Sequence, residues 1–203
     1  MNETEQLYLL RFRYGRTVEI FIAYKTFLNR QVKTDENSYC HNDEIVKQIT
    51  HTLLLTFYSF VYSLFDKSGT DFISTTDYYV ESLTEEGVKF REELIQIWNK
   101  NKVAISKLRN NIGFHGGLKL KSHDVGYSAL SEFHPFTSEL IINQLALFFM
   151  EMDKIIPPTE DYKFHVSPKD RALLIKKAED LKQRINDKSL DNVIIALRKL
   201  YGS

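Results

Sequence analysis

Apolar positions recur with a helical period along most of the chain. Leu7, Leu10, Tyr14, Val18, Phe21 and Leu28 follow one another at steps of three, four and seven, the stripe of an amphipathic helix. They predict a first helix over 5–30. Polar residues over 31–42 read as a loop, in which Asn42 offers an N-cap to a second helix over 43–67. Asp43 and Glu44 there suit the positive end of a helix dipole. This second segment is apolar on nearly every side, with Leu53, Leu55, Phe57, Val61 and Phe65 spread around its circumference. Such a helix belongs inside a bundle or in a subunit interface, and its aromatic side chains suit ordinary core or a stacking wall for a ligand.

The stretch 68–84, with Gly69 and several Thr and Ser, has no clean period. It reads as a long loop with a short helical turn over 76–83. Thr84, Glu85 and Glu86 open a third helix, whose buried face runs through Leu94, Trp98, Ile105, Leu108 and Ile112. A polar, basic passage over 118–133 reads as irregular, a short hairpin around 124–126 being the alternative. His134–Pro135 looks like the start of a fourth helix, with Pro at its first position. That helix carries the stripe Ile141, Leu145, Phe148, Met152 and Ile155, and Pro157–Pro158 stop it. Ser167 to Asp170 form a capping box that starts a fifth helix over 168–185, and a last helix covers 189–200. The expectation is an all-α fold: an up-and-down bundle of four to five long helices over 1–157, and a C-terminal helical extension over 158–203 packing on the same domain.

Composition narrows the picture only a little. A chain of 203 residues can bury about 70% of its unfolded surface. Its formal charge is zero, so no global field draws it to nucleic acid or to a membrane. The distribution is uneven, however. From Lys100 to His123 there are six Lys or Arg and no acid, whereas Asp66 to Glu93 holds eight acids against three bases. A solvated helix face and a charged partner both produce such a pattern. Cys40 is the single cysteine, which excludes a disulfide framework and favours a reducing cytoplasm. Glu3, Glu5, Arg11 and Arg13 argue against a signal peptide. The longest uncharged run, Gln48 to Phe65, spans 18 residues, at the threshold for a membrane span. Its Gln48, His51, Thr and Ser residues speak against lipid contact, and no membrane association is expected.

The candidate chemistry lies at the end of the third helix, in Lys107-Leu-Arg-Asn-Asn-Ile-Gly-Phe-His-Gly-Gly117. Arg109 supplies a fixed cation with a planar fork suited to phosphate oxygens. His115 can give or take a proton near neutral pH, and Asn110 can orient a neighbour by hydrogen bonding. On an ideal helix, positions six apart are turned about 240° from one another, so Arg109 and His115 do not share one face of a straight helix. Either the helix ends or bulges at Gly113, or the two side chains act from different sides of a composite cleft. A purely structural reading is also open: Arg109 caps helix-end carbonyls, His115 complements the helix dipole, and the glycines are stop signals. Elsewhere there is no Cys pair, no His-Glu-x-x-His and no Gly-rich phosphate loop, so neither a metal nor a cofactor is expected.

The stretch resembles the signature of the HEPN superfamily (higher eukaryotes and prokaryotes nucleotide-binding domain). That signature is an arginine, a polar residue next to it, and a histidine a short spacer later. Arg109, Asn110 and His115 match it, with five residues between the arginine and the histidine. The resemblance implies a cytoplasmic, metal-independent endoribonuclease from a toxin–antitoxin or phage-defence system, in which two copies pair so that both motifs line one groove. His115 would take the proton from a ribose 2′-hydroxyl, Arg109 would hold the phosphate, and Asn110 would fix the geometry. Lys102, Lys107, Lys119 and Lys121 would add phosphate contacts, and DNA, lacking the 2′-hydroxyl, would not be cut. An antitoxin or regulatory protein would be a further partner. Where family members encoded beside a nucleotidyltransferase antitoxin carry an adenylylated tyrosine two residues after the histidine, this chain has Gly117, so that route of neutralisation is not implied. A HEPN-like module that binds RNA or a nucleotide without turnover, and a helical scaffold, are the alternatives.

Overall fold

Local capping and apolar burial decide where the helices lie. The computed structural model describes residues 2–28, 43–66, 71–111, 128–130, 132–158 and 168–187. The fold is an all-α helical bundle, and no strand occurs among the described residues. In chain order the helices are α1 (Glu3–Leu28), α2 (Asp43–Phe65), α3 (Phe72–Asp77), a 3₁₀ turn (Val80–Ser82), α4 (Glu85–Asn111), α5 (Thr137–Ile155) and α6 (Pro168–Asn186). The chain divides into two units: residues 1–78 with 102–127, and residues 79–101 with 128–203. α4 thus contributes its first part to the second unit and its last part to the first.

In the first unit α1 packs along α2. It starts two residues earlier than the apolar stripe suggests, because Asn2 and Glu5 cap each other. The Asn2 side chain accepts from the Glu5 amide at 2.9 Å, and the Glu5 carboxylate accepts from the Asn2 amide at 3.0 Å, a capping box. Leu7, Leu10, Tyr14 and Phe21 are buried as the stripe requires. Leu28 is exposed instead, and Thr17 takes a buried place by donating its hydroxyl to the Arg13 carbonyl at 2.8 Å. α2 meets α1 through Phe57, whose ring centroid lies 5.6 Å from that of Phe21. Arg13 adds a hydrogen bond to the Ser63 carbonyl at 3.3 Å.

Four hydroxyls of α2 are satisfied within the helix. The hydroxyls of Thr50, Thr56, Ser59 and Ser63 each donate to a carbonyl one turn back, at 2.7 to 3.0 Å, the ordinary way for Ser and Thr to sit inside a helix. Among the described residues, no helix is long and apolar enough to cross a membrane. The burial of Tyr58 in this core pushes its phenol well above the usual tyrosine range, and the nearby Tyr24 adds to the effect.

The segment expected to be loop is mostly structured. Asp71 caps α3 by accepting from the amides of Ile73 and Ser74 at 2.9 and 3.0 Å. Phe72 is fully buried, with its ring centroid 5.0 Å from that of Phe65. A helix this short leaves too few apolar residues for a period to show, which is why the sequence pattern reads as loop. The 3₁₀ turn falls inside the stretch expected to hold a helical turn.

In the second unit Thr84 caps α4, accepting from the Gly87 amide at 3.0 Å. Gly87 sits in a tight place: a Cβ there would come within 2.8 Å of a Leu83 methyl, which would have to turn aside, and 3.2 Å of the Glu151 Cβ. α5 begins later than expected. The Thr137 amide donates to the His134 carbonyl at 2.9 Å, so Pro135 takes the second position of a turn that its fixed φ favours, rather than the first position of the helix. Ile156, extended at φ −125° and ψ 98°, ends α5, as the residue before Pro157 should.

α5 buries most of its circumference, polar residues Asn143, Gln144 and Glu151 included. Glu151 is held by three donors: Thr84 at 2.7 Å, Lys154 at 2.7 Å and Arg171 at 2.8 Å. Burial alone pushes its carboxyl up, but the hydrogen bonds from Lys154, Thr84 and Arg171 outweigh it and hold the group below the usual carboxylate range. α6 starts at Pro168 as expected and lies against α5. Among its described side chains it buries only Ala178 and Leu181, and cations fasten it further. Arg171 reaches Glu86 at 2.6 Å as well as Glu151, Lys182 pairs with Glu93 at 2.8 Å, and Lys177 pairs with Glu139. The expected caps at Asn42 and Ser167, the hairpin around 124–126 and the last helix over 189–200 lie outside the described residues.

Candidate functional site

The last turns of α4 carry the described part of the candidate motif. Ala104, Ile105 and Leu108 are buried and fix this end of the helix in the first unit. Arg109 follows Ile105 by one turn, so its side chain emerges at the edge of the buried face. There its guanidinium carbon lies over the Tyr62 ring of α2, 4.6 Å from the ring centroid. Its Nη1 also donates to the Asn110 side-chain oxygen at 3.5 Å, long for a hydrogen bond and therefore weak.

Among the described residues Arg109 has no carboxylate partner and donates to no helix-end carbonyl. This sets it apart from Arg16, Arg171 and Arg184, which pair with Glu19, with Glu86 and Glu151, and with Asp180. Asn110 is exposed beside it. Asn111 turns its amide back to the Lys107 carbonyl at 2.8 Å and is occupied by its own helix.

The four lysines grouped with the motif are not equivalent. Lys102 lies seven residues before Arg109, so an ideal helix places it about 20° away in azimuth and about 10.5 Å along the axis. It is exposed and has no carboxylate partner among the described residues. Lys107 is exposed too, but about 200° from Arg109 around the helix, on a different flank. His115, Lys119 and Lys121 lie outside the described residues, as do Gly113, Gly116 and Gly117. The structure therefore sets Asn110 against Arg109, and helical geometry puts Lys102, but not Lys107, on the Arg109 flank.

Tyr62 is the residue of this site that the sequence pattern does not single out. It sits in a helix apolar on nearly every side, where any aromatic suits core or a stacking wall alike, and it is half-buried. Among the described residues no large hydrophobic side chain of α2 is exposed, whereas α1 exposes Tyr8, Leu9, Phe12, Ile22 and Leu28.

The charge asymmetry resolves into two situations. Several acids of the 66–93 stretch are occupied: Asp71 as a cap, and Glu86 and Glu93 as anchors for α6. The cations Lys102 and Arg109 have no such counter-charge among the described residues. No group of three His, Cys, Asp or Glu that could hold a metal ion occurs among those residues. Compared with known proteins, the chain matches no family model, no curated sequence and no solved structure.

Proposed function

We propose that the chain is a HEPN-type endoribonuclease that uses Arg109, Asn110 and His115. The observation that carries this reading is the state of Arg109: half-exposed, oriented over an aromatic ring, and without a carboxylate among the described residues. An arginine that only stabilises the fold often ends in an ion pair or a cap, as Arg171 does. One held ready without a counter-ion suits a phosphate, to which its planar fork binds through two parallel hydrogen bonds.

In the reaction His115 removes the proton from a ribose 2′-hydroxyl, and the freed oxygen attacks the adjacent phosphorus. The bond to the 5′-oxygen breaks, and that oxygen takes a proton from water to leave as a 5′-hydroxyl end, while His115 returns its own proton to solvent. The other product ends in a 2′,3′-cyclic phosphate. Arg109 balances the negative charge that grows on the phosphoryl oxygens, an effect on the order of 10² to 10³ in rate for one well-placed donor. A positioned base contributes roughly 10² to 10⁴. Asn110 constrains the arginine from the side, and Lys102 meets a neighbouring phosphate on the same flank. No metal takes part, and DNA is not cut. Two copies pair so that both motifs face one groove, which accommodates the offset between Arg109 and His115 along an α4-like helix.

Incubation of the purified chain with a labelled single-stranded RNA tests the reading. Cleavage products with 2′,3′-cyclic phosphate ends, formed in the presence of chelator and reduced by about 10²- to 10³-fold in Arg109→Ala, support it. Binding without cleavage replaces it with the binding-module reading, and neither binding nor cleavage sinks both.

A further inference from the structure

We infer that Tyr62 is a positioning residue for Arg109, a platform that orients the guanidinium without occupying the hydrogen bonds needed for substrate. The inference rests on the RNA-cleaving reading above. An arginine side chain has many rotamers, and a phosphate site works only if the fork is already aimed. A carboxylate would aim it, but would compete with the phosphate for the same N–H groups. An aromatic face attracts the cation through its quadrupole and takes no donor. The contact at 4.6 Å is well inside the range of that attraction.

Both ends of the contact stand on fixed backbone. On α2, Tyr58, Val61 and Phe65 surrounding Tyr62 in sequence are buried, and on α4 Ile105 and Leu108 are buried beside Arg109. The ring and the guanidinium are therefore presented by two helices of one unit, not by a loop. Among the described residues, one weak hydrogen bond to Asn110 leaves the other N–H groups of Arg109 for a phosphate.

The experiment compares wild type with Tyr62→Phe, Tyr62→Leu, Arg109→Ala and the Tyr62→Leu/Arg109→Ala pair, and reads both RNA cleavage and the Arg109 side-chain resonances by NMR. In the protein alone, ring current should shift the Arg109 side-chain protons upfield in wild type and Tyr62→Phe. In Tyr62→Leu they should return to ordinary positions. Cleavage efficiency should stay within about twofold of wild type in Tyr62→Phe and fall about two- to fivefold in Tyr62→Leu, the change that a half-exposed cation–π contact supports. In the Arg109→Ala background Tyr62→Leu should cause no further loss.

Unshifted Arg109 resonances in wild type overturn the inference, and they decide the matter even if Tyr62→Leu does not fold. Full multiplication of the two single losses in the double variant overturns it as well. Either result leaves the ribonuclease reading standing when wild type still cleaves RNA. A wild type that shows the shifted resonances but never binds or cleaves RNA removes the functional role while keeping the contact.

Discussion

The Arg109 guanidinium carbon of α4 stands 4.6 Å from the centroid of the Tyr62 ring on α2. The contact joins the cationic end of α4 to the aromatic side of α2, and at a half-exposed position it is worth about 0.5–1 kcal/mol. That is small for stability. Its weight lies in fixing where a cation without a carboxylate partner among the described residues points.

A flank shared by Lys102 and Arg109 gives the first prediction. RNA tracking that flank should meet both cations, while Lys107 stands on another side of α4. Lys102→Ala should therefore lower the slope of log affinity against log salt by about 0.7, the share of one phosphate contact to a single strand. Lys107→Ala should change it much less. Filter binding at several salt concentrations checks this, and equal losses in the two variants would show that the flank is not the path.

Phe57 ties α1 to α2. It is fully buried, with ring centroids 5.6 Å from Phe21 and 5.2 Å from Tyr58. Truncation to alanine removes a large apolar side chain and leaves a cavity, at a cost of about 3–5 kcal/mol. Urea denaturation of Phe57→Ala should show a loss in that range. A loss below about 1 kcal/mol would mean that the α1–α2 packing is not as described.

Glu151 gives the chain an acid-sensitive fastening. Its carboxyl is held below the usual range when folded, so its stabilising effect is fully present above the ordinary carboxylate value of about 4.3. It is lost as pH falls below that value and through the lower folded one. Glu151→Gln should destabilise the protein by about 1–3 kcal/mol at neutral pH, because charged hydrogen bonds from Lys154 and Arg171 are given up. The gap between variant and wild type should begin to narrow as pH falls below about 4.3 and close once the carboxyl is protonated in the folded state too. Denaturation curves taken between acid and neutral pH test this, and a gap independent of pH would contradict it.

Much of the fold is legible in the sequence because its long helices carry their own signals. The period of Leu7, Leu10 and Tyr14, the Thr84 cap and the Pro157–Pro158 stop all act locally, and each is where the pattern puts it. Three features escape for physical reasons. The Asn2–Glu5 box is visible as a spacing, but the apolar stripe begins after it and hides it. α3 is too short for periodicity and depends on Asp71 and on burial of Phe72 against Phe65. The pairing of Arg171, Lys177 and Lys182 with acids on α4 and α5 joins residues far apart in sequence, so charge counting shows the surplus but not the partner.

The candidate site is legible to a different degree. Residue types nominate Arg109 and Asn110, and helical geometry then separates Lys102 from Lys107. Tyr62 could not be nominated, because an aromatic in an apolar helix reads as core whether or not its ring reaches a neighbour's cation. His115, Lys119 and Lys121 stand on residue type and on the family resemblance, since they lie outside the described residues.

The central claim is tested most directly by single-turnover cleavage of one labelled RNA, run beside the same sequence with 2′-deoxyribose at the cut position. Wild type should cut the RNA, leave the deoxy-substituted strand intact at that position, and lose cleavage in His115→Ala, whose RNA binding stays near wild type. Cleavage by His115→Ala at the wild-type rate, or equal cutting of the two strands by wild type, would contradict the account.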